Sequence, residues 1–142
     1  MPYKFKIIIF LSTGLLVVFA VSAFLVNKNL HDPKLFGPSL KFNEEKRDFG
    51  DVKQGPVLEG FFEFTNTGRM LLVIKNVTTS CGCTGAMVDE KREFQPGEKG
   101  KIKFTFHTEG RMGKNEKTIT IESNDLKNPK KSISFSCNIV SL

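Results

Sequence analysis

The stretch KIKFTFH, residues 101–107, alternates polar and apolar side chains at every position. Ile102, Phe104 and Phe106 therefore share one face of an extended chain, because successive side chains of a β-strand point to opposite faces. Residues 117–122 and 132–140 alternate in the same way, which predicts three strands, each with one wet and one dry face. The buried faces of the strands over residues 117–122 and 132–140 are predicted to carry Ile119, Ile121, Ile133, Phe135, Cys137 and Ile139.

Four further runs rich in apolar residues precede these strands. Residues 40–42, 49–52, 57–65 and 70–77 predict four more strands, and the last run, the most hydrophobic, suits a central position. Turn residues separate the runs: Asn66-Thr67-Gly68, and then Gln95-Pro96-Gly97-Glu98, which has Pro and Gly where a type II turn requires them. About seven strands in about 100 residues predict an all-β, immunoglobulin-like antiparallel sandwich over residues 39–142.

The first 26 residues have a different character. Lys4 and Lys6 precede residues 7–26, a run of 20 residues without charge. A run of this length can span a bilayer, whereas Val21-Ser22-Ala23 offers a small-residue cleavage site, so a membrane anchor and a cleaved signal peptide both stay open. Both favour export, because basic residues keep the N-terminus in the cytoplasm. We expect a domain at the periplasmic side of the inner membrane, or secreted to the periplasm after cleavage.

Residues 27–38, NKNLHDPKLFGP, have the Pro, Gly and charge content of a short linker, and His31 within them is expected to be an exposed linker residue. The chain of 142 residues is 39% hydrophobic, enough for the core of one domain. Its formal net charge is +6, of which Lys4 and Lys6 account for two. Nucleic acid is not an expected partner, because export is expected and no aromatic residues are interleaved with the basic residues in and beside the turn-rich stretches, Arg111, Lys114, Lys117, Lys127, Lys130 and Lys131.

Four stretches, in order, resemble a bacterial family: FEFTNTG (62–68), LLVIKNVTTSCGCT (71–84), QPGEKGKIKFTFHTEGRMG (95–113) and KTITIESND (117–125). The family is called domain of unknown function 1573, and the resemblance covers residues 39–142. It implies an exported immunoglobulin-like domain, similar to PapD-like and major-sperm-protein-like sandwiches, common in Bacteroidetes-type bacteria and without an assigned enzyme activity. The family signatures fall on Cys81, Gly82, Cys83 and Thr84, and on Pro96, Gly97 and Glu98. Members often have Gly where this chain has Cys137.

The pair of cysteines in TTSCGCTG, residues 78–85, has three possible roles, of which the first is a structural corner or a local disulfide. Strand residues two apart have Cα atoms about 6–7 Å apart, near the upper limit for a disulfide, and Gly82 allows the closer approach that a labile Cys81–Cys83 bridge needs. Pairing of one of them with Cys137 is the second role, although Cys137 is expected to be a small buried hydrophobe. The third is soft-metal (copper) binding by Cys81, Cys83 and Met87, with His107 more distant, or redox work.

Catalysis is the least supported function. His107 is the only histidine after the linker, and it falls on the wet face of its strand without a nucleophile and a carboxylate to complete a catalytic set. We therefore expect a non-enzymatic protein without a cofactor. The edges of an open sandwich can accept an extended peptide as an added strand, which favours an interaction or scaffolding domain with peptide or protein partners in the envelope. A passive structural spacer stays an alternative.

Overall fold

The computed structural model describes residues 17–24, 36–89 and 91–141. The chain divides into two compact units, Met1–Phe36 and Gly37–Leu142. Residues 17–24 are helical, and within the described residues no helix is both long and apolar enough to cross a membrane. Most of the run predicted as an anchor or signal peptide, and most of the predicted linker, lie outside the described residues.

The second unit is an all-β sandwich, which confirms the predicted fold class. In the described part of the chain it has nine strands: β1 (Leu40–Phe42), β2 (Lys46–Lys53), β3 (Val57–Asn66), β4 (Leu72–Thr79), β5 (Thr84–Val88), β6 (Glu93–Phe94), β7 (Lys99–His107), β8 (Gly113–Ser123) and β9 (Lys130–Val140). The first sheet has the order β1-β3-β7-β5, and the second has the order β2-β9-β8-β4-β6. All pairs are antiparallel except the parallel pair of β2 and β9.

The core lies between the two sheets and is built from the dry faces of the alternating strands. Ile102, Phe104 and Phe106 are buried, as are the six residues predicted for β8 and β9. The Phe104 ring of the first sheet stacks on the Phe135 ring of the second, with centroids 4.2 Å apart. The alternation therefore predicted the inner faces correctly.

Two strands were not predicted. β5 follows the cysteine pair directly, and β6 has only two residues. β4 starts two residues later than expected and has a register shift between Ile74 and Asn76. It is the fourth of five strands, and β6 flanks it only at Leu72 and Val73. The type II turn is confirmed, because Gly97 has φ 80° and the Glu98 N–H donates to the Gln95 carbonyl over 2.9 Å.

Candidate functional site

The cysteine pair lies in the corner that carries the chain from β4 in the second sheet to β5 in the first. At its start, the Ser80 N–H donates to the Thr118 carbonyl of β8 (2.9 Å). At its end, the Cys83 carbonyl accepts from the His107 N–H of β7 (3.1 Å). Gly82, at the tip, is exposed, and a Cβ atom added there would meet nothing within 4 Å. The backbone of the corner is therefore fixed at both ends and open at the tip.

In the structure Cys81 and Cys83 form a disulfide, with their Cα atoms 5.3 Å apart. This separation is shorter than that of strand residues two apart, because the corner is a turn and not a strand. Both residues are half-buried, and Cys83 packs against the edge of the core.

Two threonine side chains form hydrogen bonds in the corner beside the disulfide. The Thr79 hydroxyl lies 3.0 Å from the Cys81 carbonyl oxygen and 2.9 Å from the Thr84 carbonyl oxygen. The Thr84 hydroxyl lies 3.6 Å from Sγ of Cys81 and 3.9 Å from Sγ of Cys83, and the Thr84 side chain is only 4% exposed. In addition, the Thr84 N–H donates to the Cys81 carbonyl (3.3 Å). Hydrogen bonds thus hold the corner in shape alongside the disulfide.

We expect reduction of the disulfide to lower the free energy of unfolding by no more than about 1.6 kcal/mol, the value that loop entropy gives for a closed loop of roughly three residues. The reason is that the bridge joins neighbours whose backbone is already hydrogen-bonded. Urea unfolding with and without a reductant measures the change, with a Cys81→Ser/Cys83→Ser variant as the control for the reductant. A loss above about 3 kcal/mol would show that the bridge is the main support of the corner.

The candidate metal ligands do not come together as a set. Met87 lies on the outward face of β5 and is 66% exposed, whereas Cys83 packs against the core. His107 pairs with Cys83 through the backbone, and its side chain is exposed on the outer face of β7. Across residues 17–24, 36–89 and 91–141, no group of three or more His, Cys, Asp or Glu side chains could hold a metal ion. Sulfurs joined in a disulfide are also not thiolates, the form that binds copper.

Cys137 is a free thiol buried in β9. Burial raises the pKa of this thiol, and the nearby Lys117 opposes the shift only in part. The protonated thiol acts as an apolar group in the core.

The Pro96-Gly97-Glu98 motif supports the fold. The Glu98 carbonyl accepts from the Asn66 N–H (2.9 Å), and the Gly97 N–H donates to the Asn66 carbonyl (2.8 Å), so the turn docks on the end of β3. A hydrogen bond from Lys91 lowers the pKa of the Glu98 carboxyl, and the Gln95 N–H lowers it further. The sequence identified this motif and predicted a turn at Asn66. It did not reveal that Asn66 forms hydrogen bonds with Gly97 and Glu98.

A free strand edge begins at the cysteine corner. The Cys83 carbonyl and the Asp89 N–H both form hydrogen bonds with β7. Because backbone groups alternate in direction along an antiparallel strand, Gly85 and Met87 also direct their N–H and C=O groups toward β7. Thr84, Ala86 and Val88 direct their backbone N–H and C=O groups away from β7, and β5 is the last strand of its sheet. The Thr84 N–H and C=O groups already have hydrogen-bond partners within the corner, the Cys81 carbonyl and the Thr79 hydroxyl. Those of Ala86 and Val88 face the open edge.

A hollow of about 550 Å³, here called the outer hollow, lies on the surface beside this edge. Its apolar lining includes Phe61, Met87 and Phe104, and charged residues at its margin include Arg47 and Lys103. Gly85 and Thr105 also line it, and Gly85 leaves room for the Thr105 side chain, because a Cβ at position 85 would lie only 2.9 Å from Oγ1 of Thr105. The sequence of β5 has no clear polar/apolar alternation, because its outward residues are Gly85 and the apolar Met87, and its edge position depends on sheet order.

The family described as "Protein of unknown function (DUF1573)" matches this chain over residues 40–139, nearly the whole sandwich. The chain belongs to this family. The match confirms the resemblance drawn from the four sequence stretches. No curated protein matches the chain.

The solved structures that resemble this DUF1573 chain share its fold. A Porphyromonas gingivalis W83 protein of unknown function has a TM-score of 0.65 and 20% identity, over 76% of this chain and 50% of that one. The ASH/PapD-like domain 7 of human CEP192 has a TM-score of 0.57 and 12% identity, over 78% and 90%. The secreted serine protease VesC from Vibrio cholerae has a TM-score of 0.56 and 18% identity, over 81% and 25%. The fold is therefore PapD-like, and the chain spans at most half of the first and last of these proteins.

Proposed function

We propose that this chain is a non-enzymatic, exported envelope protein whose sandwich binds an extended peptide segment of a partner protein along β5. The observation that carries the proposal is the open edge at Ala86 and Val88. A segment placed beside β5 would exchange backbone hydrogen bonds with these residues, which is how an extended peptide joins the edge of a sheet.

The side chains around the edge favour a segment with an apolar residue. A residue of the added strand that points outward would lie beside Gly85, which has no side chain to obstruct it. It would reach the outer hollow between Met87 and Phe61, both of which are exposed hydrophobic residues. Alternate side-chain pockets of this kind give specificity to binding whose affinity comes from the backbone.

Export is supported by the uncharged run after Lys4 and Lys6 and by the disulfide, since disulfides persist in oxidising compartments such as the periplasm. Protease added to spheroplasts tests this part of the proposal. We expect the sandwich to be degraded while a cytoplasmic marker survives. Protection of the sandwich would place it in the cytoplasm and contradict export.

The edge is tested by photo-crosslinking in cells from position 87, with position 116 on the outer face of the second sheet as the control. Both residues are exposed, but only Met87 lies on β5. We expect a recurring protein adduct from position 87 that Ala86→Pro reduces about tenfold or more, because proline removes the outward N–H and obstructs the added strand. The sheet itself should tolerate this proline, since the N–H of residue 86 is not part of the β5–β7 ladder.

Circular dichroism and the melting temperature of Ala86→Pro verify that the variant is folded. Equal adducts from positions 87 and 116, or adducts that Ala86→Pro leaves unchanged, would contradict binding at β5. No adduct from either position would favour the passive spacer.

A further inference from the structure

The Thr84 hydroxyl is a buried polar group whose hydrogen-bond partners are the two sulfurs of the disulfide. It lies 3.6 Å from Sγ of Cys81 and 3.9 Å from Sγ of Cys83, and the side chain is only 4% exposed. A disulfide sulfur is a weak acceptor, whereas a thiolate is a strong one, and hydrogen bonds to charged groups are the stronger kind. The hydroxyl is therefore placed where it would stabilise the product of opening the bridge more than the closed bridge.

We propose that Cys81 and Cys83 form an exchangeable disulfide that accepts two electrons from a dithiol of a cysteine-containing polypeptide. This activity is separate from binding along β5 and needs only access to the corner. A bridge that joins residues two apart constrains little of the chain, so the fold does not depend on keeping it closed.

The corner is accessible and asymmetric. Gly82 is exposed, with nothing within 4 Å of a Cβ placed on it, so an incoming chain can approach the tip. Cys83 packs against the core, whereas Cys81 does not belong to the core cluster or its margin. Access favours attack at Sγ of Cys81, with Cys83 as the leaving group, and the Thr84 hydroxyl lies within 4 Å of both sulfurs, so it can stabilise the Cys83 thiolate as well as that of Cys81.

The exchange is balanced in two steps. A thiolate of the dithiol attacks Sγ of Cys81, the Cys81–Cys83 bond breaks, and Cys83 leaves as a thiolate that the Thr84 hydroxyl stabilises. The second thiol of the dithiol then loses its proton and attacks its own partner sulfur in the mixed disulfide, releasing Cys81 as a thiolate. The polypeptide gains a disulfide, the two protons of its thiols pass through solvent to Cys81 and Cys83, and the reaction is reversible.

We expect the corner to keep its shape in the reduced state, because three hydrogen-bonding contacts with backbone oxygens do not involve sulfur. The Thr84 N–H donates to the Cys81 carbonyl, and the Thr79 hydroxyl lies within bonding distance of the carbonyls of Cys81 and Thr84. The two thiols therefore stay near each other, as closing the bridge again requires.

The test mixes the folded protein with an unstructured dithiol peptide, and in parallel with dithiothreitol, and stops the reaction with an alkylating agent at set times. Mass spectrometry then counts the label on Cys81 and Cys83 and the disulfide formed in the peptide. We expect one peptide disulfide for each bridge opened, with Cys137 unlabelled in the folded protein because it is buried. Exchange only after the protein is denatured would overturn the proposal.

Variants at position 84 test the hydroxyl. Thr84→Val should slow opening by about tenfold, the effect of losing one hydrogen bond to a charged group, whereas Thr84→Ser, which keeps the hydroxyl, should stay within about twofold. Equal rates for both variants would overturn the role of Thr84. If Thr84→Val does not fold, the Thr84→Ser and native rates still decide whether the corner exchanges.

The attacked sulfur is identified with variants that keep one cysteine of the pair beside the buried Cys137, and with an oxidised peptide, which probes the reverse reaction. Cys83→Ser should collect a mixed disulfide on Cys81 about tenfold faster than Cys81→Ser collects one on Cys83. The opposite order would overturn the assignment of Cys81. Ala86→Pro should exchange with dithiothreitol at the native rate, so failure of edge binding and failure of exchange are separate outcomes.

Discussion

Replacing Asn66 by Asp is expected to lower the free energy of unfolding by about 3–5 kcal/mol, the range found when a buried charge is left without its partners. The Asn66 side chain is fully buried. Its amide nitrogen donates to the carbonyls of Met70 (2.8 Å) and Phe94 (2.9 Å). Its amide oxygen accepts from the N–H groups of Ser39 (3.3 Å) and Gly68 (3.0 Å), so every hydrogen-bonding position is used.

Asp has nearly the same shape but cannot donate when it is ionised, so two carbonyl oxygens would face a buried carboxylate. The loss should shrink in acid, because a protonated carboxyl donates one hydrogen bond. Urea unfolding at neutral and acid pH measures both effects. The matched control is Asn128→Asp, an exposed position in the loop between β8 and β9, which should change stability by less than about 0.5 kcal/mol. A similarly small change for Asn66→Asp would show that the amide does not hold these segments together.

Asn66 shows where sequence patterns stop being informative. The pattern Asn66-Thr67-Gly68 predicts a turn, because Asn and Gly favour turns, and the chain does leave β3 there. That the amide joins this turn to Ser39 and Phe94 depends on distant segments, 27 and 28 residues away, being folded beside it. Asp125 behaves in the same way: it is buried, and its carboxylate accepts from the Leu40 N–H, 85 residues away (3.0 Å). Long-range partners of this kind leave no local signal.

The strands differ in how well the sequence predicts them, for a physical reason. β7, β8 and β9 each have one face on the core and one in water, so their alternation is plain over most of their length. β5 has a glycine on its outer face and begins at the cysteine turn, which leaves too few alternating residues to recognise. β6 is too short to have a period at all.

For the candidate site, the sequence identifies the residues but does not predict which of them are in contact or which strand edge is open. The spacing of Cys81 and Cys83 permits a bridge once Gly82 bends the chain, and this much follows from backbone geometry. The contact of Thr84 with both sulfurs and the open edge of β5 follow from the pairing of β5 with β7 and from its place at the end of the sheet. Neither is encoded within the motif.

The second large effect is expected at Gly68, where Ala should destabilise the sandwich by at least about 3 kcal/mol, at the upper end of the range for an overpacked site. A Cβ atom at this position would lie 2.2 Å from the Gly37 carbonyl oxygen, 2.6 Å from the Ser39 nitrogen and 2.7 Å from the Pro38 carbonyl carbon. All three are backbone atoms, so no side-chain rotation can relieve the overlap. The two irregular segments that meet here, residues 37–39 and 67–69, must separate.

That separation would break the hydrogen bonds on both sides of Gly68. The Thr67 N–H donates to the Ser39 carbonyl (2.9 Å), and the Arg69 N–H donates to the Gly37 carbonyl (3.2 Å). Gly82→Ala is the matched control, because a Cβ there meets nothing within 4 Å, and it should change stability by less than about 0.5 kcal/mol. A loss below about 1 kcal/mol for Gly68→Ala would contradict the close approach of these backbones.

Because Gly68 donates its N–H to the Asn66 amide oxygen, the two sites share one network. Displacing the chain at residue 68 would already strip part of the Asn66 side chain of its partners. In a double-mutant cycle of Asn66→Ala and Gly68→Ala, we therefore expect the combined loss to fall short of the sum of the single losses by about 1 kcal/mol or more. Additive losses would mean that the clash at Gly68 is absorbed locally, without moving the segment that the Asn66 amide oxygen binds.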